Sequence, residues 1–498
     1  MRRHSHWPIT ICSATLLTLP AYVTGQPAGL FGQAVTYPVG SNPTYVRAAD
    51  LNGDGRPDLV VSNSGNGGTG SLSILFGNGD CTLQPRVDYR AENGVFAPAI
   101  GDLTEDGNPD VLTANYLANS VSIFRGLRNG RLVGRVDLWA GRQPAEVAIA
   151  DLNGDGHADF AVNNFAANTV SVFLAKGHGR FMDPVDYPTR DGPFALAVLD
   201  LNLDGVMDIV VGNLYVDWSV NGSPLSVMLG RGDGTFGSRR DIPVGKYAGV
   251  VLSGDFSADG KPDLAVVNAE SRSVSILLGD GAGGFPFRTD YATGDLPLGG
   301  AVGDLNKDGV LDLAVTNLQS NTVSVFLGNG DGTFGQRTDY PAGGGYFIDP
   351  GGIAIVDLNG DGWPDLAIAN SVSNTVSVLL NRGAQAQTAA SRAGHSGSTS
   401  GRTPWRVSFA VRQNPARIGE GVELIYTVPD GGADVEVSIY SVTGQEVARF
   451  PRRHEPGGSH VASWGGIDSR GEKVSSGIYL VRGSIGDTAV RSRVVLIR

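Results

Sequence analysis

The chain has 498 residues, of which 72 are glycine, and only 18% are charged. This composition predicts many turns and short strands, and the length allows one large domain and a smaller one. The formal net charge of −12 argues against nucleic acid as a partner, because phosphate binding needs basic patches.

The N-terminus has the layout of a secretory signal peptide. Arg2 and Arg3 precede an apolar stretch that ends at about Val23, and small residues come next, near Gly25. We predict that residues 1–25 are removed on export, so the mature chain is expected to be secreted or exposed at the cell surface. No later segment reaches about 18 consecutive apolar residues, so no transmembrane segment is expected.

A nine-residue acidic motif then recurs seven times, at intervals of 49 to 55 residues. Each copy is followed by an apolar run such as DLVVSN, an alternating segment such as TVSVF and a glycine-rich turn such as LGNGDGTFG. The alternation of valine and serine predicts a strand with one packed face. Four strands of about five residues with their turns fill about 50 residues, the size of one propeller blade. The sequence therefore predicts an all-β, seven-bladed β-propeller over residues 26–383.

The two ends of the repeat region favour a closed ring over a solenoid, which would need polar capping repeats. The last repeat ends at TVSVLLNRG (Thr375–Gly383) and lacks its fourth strand. Near the N-terminus, LFGQAVTYPVG (Leu30–Gly40) closely matches TFGQRTDYPAG (Thr333–Gly343). Pairing this N-terminal strand with the last blade would close the ring and remove two exposed sheet edges.

The acidic motif concentrates oxygen donors in the hairpin that we expect between the first and second strands of each blade. Side chains at positions 1, 3, 5 and 9 and the carbonyl at position 7 can converge on a hard cation, and glycine at position 6 permits the turn. The alternative is a set of Asx-turns, in which Asp and Asn cap backbone N–H groups. Three clustered carboxylates repel each other without a cation between them, which favours a metal site.

We therefore expect up to seven Ca²⁺ ions, which would change the formal charge from −12 to about +2. Calcium is favoured over magnesium because the cage is mostly protein oxygen, and over zinc because no His or Cys side chain takes part. Thr104 and Ser257 replace asparagine at position 3 of the second and fifth loops and are weaker ligands. The predicted ligands at positions 1, 3, 5, 7 and 9 are Asp50, Asn52, Asp54, Arg56 and Asp58; Asp102, Thr104, Asp106, Asn108 and Asp110; Asp151, Asn153, Asp155, His157 and Asp159; Asp200, Asn202, Asp204, Val206 and Asp208; Asp255, Ser257, Asp259, Lys261 and Asp263; Asp304, Asn306, Asp308, Val310 and Asp312; and Asp357, Asn359, Asp361, Trp363 and Asp365.

The combination of DLNGDGRPD with LGNGDGTFG resembles the FG-GAP/VCBS repeat, as in the N-terminal propeller of the integrin α-subunit. The resemblance covers about Gly29 to Gly383. It implies a calcium-stabilised seven-bladed propeller that is used in adhesion or ligand binding. Integrin loops usually carry aspartate at position 3, so the Asn, Thr and Ser here imply weaker calcium binding.

The composition changes after the repeats. Residues 384–403 are small and polar and predict a flexible linker. Residues 404–498 contain strand-like segments such as VELIYTV and SGIYLVRG, separated by turns, and predict a small β-sandwich with Trp464 and Tyr479 in its core. The segments VSIYSVTGQEVARF and GGSHVASWGGIDSRGEKVSSGIYLVR resemble the FlgD-type Ig-like fold and the related type IX secretion sorting domain. This resemblance implies a bacterial protein that engages outer-membrane export machinery through its C-terminus.

The sequence indicates a protein that binds a protein or glycan ligand rather than an enzyme. It contains no recognisable Ser/His/Asp or Cys/His arrangement and no phosphate loop. The alternative is an extracellular polysaccharide lyase or hydrolase that uses a carboxylate outside the motifs, such as Glu146. A structural spacer without a ligand is a third possibility.

A ligand face is expected opposite the acidic hairpins, on the loops that enter each first strand and those that join the second and third strands. Aromatic rings on these loops could stack on sugars or anchor a protein, or else pack between blades. The candidate ligand contacts are Tyr45, Phe96, Phe194, Tyr215, Trp218, Tyr247 and Tyr346.

Overall fold

The computed structural model describes residues 29–65, 67–215, 222–342, 352–383, 409–412, 416–417, 422–428, 432–441, 445–456, 458–475, 477–486 and 488–497. Over these residues the chain forms β-strands and no helix. None of the described segments is an apolar helix long enough to cross a membrane. The chain divides into two compact units, residues 1–395 and 396–498. The predicted signal peptide and linker lie outside the described residues.

In the first unit the described strands form seven antiparallel sheets of four strands. Six of these sheets follow chain order, and each begins with the strand that leads into an acidic hairpin. Their strands are β2 (Pro43–Ala49), β3 (Asp58–Asn63), β4 (Ser71–Leu75) and β5 (Val87–Arg90); β6 (Val95–Gly101), β7 (Asp110–Asn115), β8 (Ser120–Gly126) and β9 (Leu132–Trp139); β10 (Pro144–Ala150), β11 (Asp159–Asn164), β12 (Thr169–Phe173) and β13 (Val185–Pro188); β14 (Pro193–Leu199), β15 (Asp208–Asn213), β16 (Pro224–Met228) and β17 (Arg240–Pro243); β18 (Ala248–Gly254), β19 (Asp263–Asn268), β20 (Ser273–Leu278) and β21 (Phe287–Ala292); and β22 (Pro297–Gly303), β23 (Asp312–Asn317), β24 (Thr322–Phe326) and β25 (Thr338–Pro341).

The seventh sheet joins the two ends of this unit. It contains β26 (Ile353–Val356), β27 (Asp365–Asn370), β28 (Thr375–Leu379) and the N-terminal β1 (Val35–Pro38). Strand β1 pairs antiparallel with β28, with Val35 opposite Val378 and Pro38 opposite Thr375. The prediction that the N-terminal strand completes the last sheet is confirmed.

The hydrophobic core of the first unit consists of seven clusters, one at each junction between neighbouring sheets, and the cluster between the second and third sheets also includes Tyr45 of the first. One cluster packs Val46 and Leu59 of the first sheet against Ala367 and Val376 of the seventh. Packing therefore runs from each sheet to the next and from the seventh back to the first, as the predicted seven-bladed propeller requires.

The third strands differ from the prediction in one respect, because their serine face is buried as well as their valine face. Ser324 of β24 is fully buried, like Val323 beside it. The Ser324 hydroxyl accepts a hydrogen bond from Asn317 Nδ2 at 2.7 Å and lies 2.7 Å from Asp339 Oδ1. Hydrogen bonds across the sheet thus satisfy polar side chains that the sequence pattern alone assigned to solvent.

Arginines on or directly before five of the fourth strands link neighbouring sheets. Arg337, for example, is paired with Asp339 at 3.0 Å and donates to the carbonyl of Ala292, at the end of the preceding sheet, at 3.1 Å. The other four donate in the same way to the preceding sheet. They are Arg86, Arg135, Arg239 and Arg288.

The second unit contains two sheets around a common core. One has β29 (Phe409–Arg412), β31 (Val422–Val428) and β34 (Gly458–Trp464), and the other has β30 (Ala416–Arg417), β36 (Thr488–Ile497), β35 (Gly477–Ile485), β32 (Ala433–Ser441) and β33 (Glu446–Glu455). Trp464 and Tyr479 contact each other edge to face at 5.2 Å between ring centroids, and both are buried in this core. The prediction that these two rings are core residues is confirmed.

Candidate metal loops and the central channel

Each acidic motif forms the hairpin between the first and second strands of its sheet, and its ninth residue is the first residue of the second strand. Position 1 caps the turn in all seven loops, because one oxygen of its carboxylate accepts the N–H of the glycine at position 6 at 2.7–2.9 Å. These glycines have φ between +79° and +85°, which a residue with a side chain adopts only at a cost. The hairpin and its glycine lie where the sequence predicts them.

The carboxylate at position 5 receives hydrogen bonds on both oxygens. One oxygen accepts the N–H of position 7 in all seven loops. The other accepts the amide N–H of the asparagine at position 3 in the five loops that have one, as in Asn306 Nδ2 to Asp308 Oδ2 at 2.8 Å.

The second and fifth loops, which lack that asparagine, use a basic side chain instead. Arg125 donates to Asp106 Oδ2 from Nε and Nη2 at 3.0 and 2.8 Å. Lys261 lies 3.2 Å from Asp259 Oδ2. In these two loops a protein cation therefore already neutralises the position-5 carboxylate.

The carboxylate at position 9 lies under the loop and is fully buried in all seven sheets. In the sixth sheet Asp312 accepts the N–H of Leu305 at 2.9 Å and the N–H of Gly328 at 2.7 Å. The other six carboxylates at this position each accept at least one N–H from their own loop and one from the end of the third strand or the turn that follows it. Burial raises the pKa of Asp58, Asp312 and Asp365 to about 6.

The loops thus bring together the side chains at positions 1, 3 and 5 on their exposed side, whereas position 9 is turned toward backbone N–H groups. Among the residues that the structure describes, no group of three or more His, Cys, Asp or Glu side chains is arranged to hold a metal ion. The donor chemistry at positions 1, 3 and 5 fits a hard cation, since it consists of two carboxylates and, in five loops, an amide oxygen. The second and fifth loops fit a cation less well because of Arg125 and Lys261.

Neighbouring loops also contact each other at this rim. Position 4 of the second loop, Glu105, lies 2.6 Å from Nδ1 of His157 at position 7 of the third loop. The hydrogen bond from Glu105 raises the pKa of His157. Lys307, at position 4 of the sixth loop, lies over the ring of Trp363 at position 7 of the seventh, 5.0 Å from its centroid. These contacts give position 7 a role through its side chain, whereas the sequence assigned it only a carbonyl.

The opposite face carries a connected group of aromatic rings from the second, third and fourth sheets. Phe96, Tyr116, Phe165, Phe194 and Tyr215 form a chain of ring contacts with centroid separations of 5.1 to 6.3 Å. Tyr215 is 53% exposed at the end of this chain. We call these five residues the aromatic surface.

The predicted ligand contacts separate into three groups. Tyr45 and Phe96 are buried, so neither ring offers its face to a ligand, and Phe96 takes part in the aromatic surface only through its contacts with Tyr116 and Phe194. Phe194 is half-buried, and Tyr215 and Tyr247 are exposed. Trp218 and Tyr346 lie outside the described residues.

The first strands of the sheets line a central channel, which contains a cavity of about 410 Å³. As the structure describes them, these strands contain only two charged residues, Arg47 of β2 and Glu146 of β10. Their side chains form an ion pair across the second sheet, with 3.5 Å between Arg47 Nη2 and Glu146 Oε1. Glu146 Oε2 also accepts the N–H of Leu196 at 2.9 Å.

Burial of the Glu146 carboxyl raises its pKa to about 7, although Arg47 and the N–H of Leu196 act in the opposite direction. A carboxyl group that changes charge near neutral pH in a cavity is a functional-site candidate. The sequence indicated Glu146 as a candidate but did not indicate Arg47. An alignment of the repeats could have indicated both Arg47 and Glu146. Each is a charged residue at a position where the other sheets have an apolar residue or glycine.

Comparison with known proteins agrees with this architecture. A family model described as the FG-GAP-like repeat matches residues 50–113, 102–162, 151–211, 255–315 and 304–368, which together cover more than half of the chain. Each match runs from one acidic hairpin into the second strand of the next sheet. No curated protein matches the chain.

Solved structures are similar to this chain in fold. The crystal structure of BBS1N in complex with ARL6DN has a TM-score of 0.50 and 13% identity, and the match covers 71% of this chain and 97% of that one. PpgL, a periplasmic gluconolactonase of Pseudomonas aeruginosa, has a TM-score of 0.46 and 21% identity, and the match covers 61% of this chain and 86% of that one. At 13% identity the likeness to BBS1N concerns the fold alone.

Proposed function

The chain belongs to the FG-GAP-like repeat family, and we propose that it is a calcium-stabilised propeller that binds a protein or glycan ligand outside the cell without transforming it. The observation that carries the ligand part of this proposal is the aromatic surface. Rings in contact over three sheets, with Tyr215 exposed at the end, form a rigid apolar platform. Aromatic side chains of this kind are enriched where proteins bind partners, because they offer a large contact area with little conformational entropy to lose.

Calcium is proposed for the five loops that have asparagine at position 3. In these loops the carboxylates at positions 1 and 5 and the amide of position 3 would hold the ion, and the ion would supply the positive charge that the second and fifth loops take from Arg125 and Lys261. Five ions rather than seven are therefore expected. Dissociation constants of about 10⁻⁴ to 10⁻³ M, typical of extracellular calcium modules, fit a role in stiffening the hairpins.

A calorimetric calcium titration with one matched pair of variants tests this number. Asp308→Ala removes the position-5 carboxylate of a loop that has asparagine, and we expect it to lower the stoichiometry by one ion. Asp259→Ala makes the same change beside Lys261, and we expect it to leave the stoichiometry unchanged. Equal losses in both variants would contradict the assignment of five sites.

We propose export from the cell because the N-terminus has the layout of a signal peptide. We propose retention or sorting at the cell surface because of the C-terminal unit. The two sheets of that unit share one core, as a sorting domain with an Ig-like fold would. Expression of the full chain with and without residues 1–25, followed by cell fractionation, tests the first point. Export that does not depend on these residues would contradict it.

Catalysis is the alternative function. Glu146 is the residue that would carry it, because its pKa of about 7 would suit a general acid or base. We favour binding because Glu146 is held by Leu196 N–H and Arg47, and no second carboxyl lies beside it in the channel-lining strands that the structure describes. A glycan and protein array in calcium and in EGTA, with a parallel assay for reducing ends and unsaturated sugars, separates the two functions. Release of such products would contradict the binding function, and binding without products would support it.

A further inference from the structure

The side chains that line the cavity in the central channel are apolar, apart from Arg47, Glu146 and the hydroxyl of Tyr45. Val250, Leu252 and Ile353 are among the residues that line it, together with Arg47 and Glu146. The sixth sheet lines it with the small residues Gly299, Gly300 and Ala301. A volume of about 410 Å³ falls within the range of small-molecule sites, roughly 300 to 1,000 Å³.

Arg47 presents unused hydrogen-bond donors to this cavity. Among the described residues, its guanidinium donates one hydrogen bond, from Nη1 to the carbonyl of Val46 at 3.3 Å, and its contact with Glu146 at 3.5 Å is long for a hydrogen bond. The side chain keeps 37% of its surface exposed. A guanidinium has five N–H donors in a planar fork that matches a carboxylate, so Arg47 can bind one with two parallel hydrogen bonds.

An ion pair in an apolar channel needs an explanation other than stability. Ion pairs that water can reach contribute only about 0–1 kcal/mol to stability, and Arg47 keeps 37% of its side chain exposed. The fold does not need a charge at this position, because Ala301 occupies in the sixth sheet the position that Arg47 occupies in the first, three residues before the acidic motif. The pair at Arg47 and Glu146 is therefore better explained by a ligand.

We infer that the cavity binds the uronate end of an acidic glycan, with the sugar carboxylate on Arg47 and a sugar hydroxyl on Glu146. This inference rests on the proposed binding function and names the class of ligand. A sugar acid carries hydroxyl donors beside its carboxylate, which suits a site where Glu146 Oε1 lies 3.5 Å from the Arg47 guanidinium.

The test is a calorimetric titration of the full chain in calcium with trigalacturonate, with the neutral galactose trisaccharide as the matched probe. Arg47→Gln should weaken trigalacturonate binding by about 10- to 100-fold, the range for one charged hydrogen-bonded contact. Arg337→Gln, which removes a charge beside an outer strand, should bind as the unmodified protein does. The neutral trisaccharide is expected to bind weakly to all three proteins.

A second variant guards against misfolding, because Arg47→Gln leaves the Glu146 carboxyl without its partner. Arg47→Lys keeps a positive charge beside Glu146 but removes the planar fork of donors, and it should also weaken the binding of trigalacturonate. Equal affinity for the acidic and neutral probes, binding unaffected by both channel variants, or preferential binding of an aspartate-rich peptide would overturn the inference. If trigalacturonate fails but another glycan or protein on the array binds, the assignment of the channel is wrong and the proposed function stands. If nothing on the array binds, the proposed function itself fails.

Discussion

The buried carboxylate at position 9 offers the sharpest test of how the acidic loops work. Asp312 is fully buried and accepts two backbone N–H groups, from Leu305 at 2.9 Å and from Gly328 at 2.7 Å. Asp312→Ala would leave both donors without that acceptor. Each buried unsatisfied group costs about 1–3 kcal/mol, so we expect a loss of about 2–6 kcal/mol in the free energy of unfolding.

Urea denaturation in EGTA measures this loss without any contribution from calcium. The matched control is Asp308→Ala in the same loop, whose side chain is exposed. Its removal should cost no more than about 1 kcal/mol in the metal-free protein, because water can replace its hydrogen bonds with Val310 N–H and Asn306 Nδ2. In calcium the difference in stability between the two variants should become smaller, because Asp308→Ala then also loses the ion that its loop would bind.

The pH dependence gives a second readout for Asp312. Burial raises its folded pKa to about 6, above its ordinary value of 3.8. A raised folded pKa means that the folded state holds the proton more tightly, so this contribution to stability is fully present below pH 3.8 and is lost as the pH rises through about 6. The stability difference between the unmodified protein and Asp312→Ala should therefore be larger at pH 5 than at pH 7. A variant that is as stable as the unmodified protein in EGTA, and weaker only in calcium, would refute the structural role and make position 9 a metal ligand.

Three further changes test other parts of the fold. Deletion of residues 29–38 removes β1 and should lower the melting temperature of the first unit, because β28 then becomes an exposed edge. An unchanged melting curve would contradict closure through this strand. Ser324→Ala should lower the free energy of unfolding in urea by about 1–3 kcal/mol, because Asn317 Nδ2 and Asp339 Oδ1 both lose a partner. Thr338→Ala, whose side chain is exposed, is the control, and equal effects would argue against a structural role of these hydrogen bonds. Trp464→Ala should destabilise the C-terminal unit by about 3–5 kcal/mol, which scanning calorimetry can detect, and an unshifted transition would argue against its place in the core.

The architecture could be predicted from the sequence because seven copies of the same repeat each indicate the same arrangement of strands and turns. Every copy of the motif fixes a hairpin through its glycine, and every alternating segment fixes a strand, so an error in one copy is corrected by the others. The position of β1 could be inferred from the match between Leu30–Gly40 and Thr333–Gly343, since an incomplete last sheet needs one strand from elsewhere. The burial of the serine face could not be inferred, because hydropathy does not contain the hydrogen bond from Asn317 to Ser324.

The candidate sites could be predicted only in part, because they lie where the repeats differ from each other. The weaker second and fifth loops were visible in the sequence as Thr104 and Ser257. Arg125 was not, since it comes from the third strand of its sheet, and Lys261 was assigned only a carbonyl ligand. Arg47 was missed for a similar reason. It is separated from Glu146 by about 100 residues in the chain, and only the ring places the two side chains 3.5 Å apart.

Calcium and the ligand are linked through the charge of the whole protein, although the loops and the aromatic surface lie on opposite faces. A metal-free chain with a formal charge of −12 repels an acidic glycan at long range. Five calcium ions would reduce that charge to about −2, and the association rate of an acidic glycan should therefore rise with calcium even though no ion touches the channel. Since salt screens this repulsion within about 10 Å at 0.1 M, the calcium effect on the association rate should be large at low ionic strength and small at high ionic strength. A calcium effect that is independent of salt would instead indicate that the ions change the shape of the channel, and it would contradict the electrostatic link.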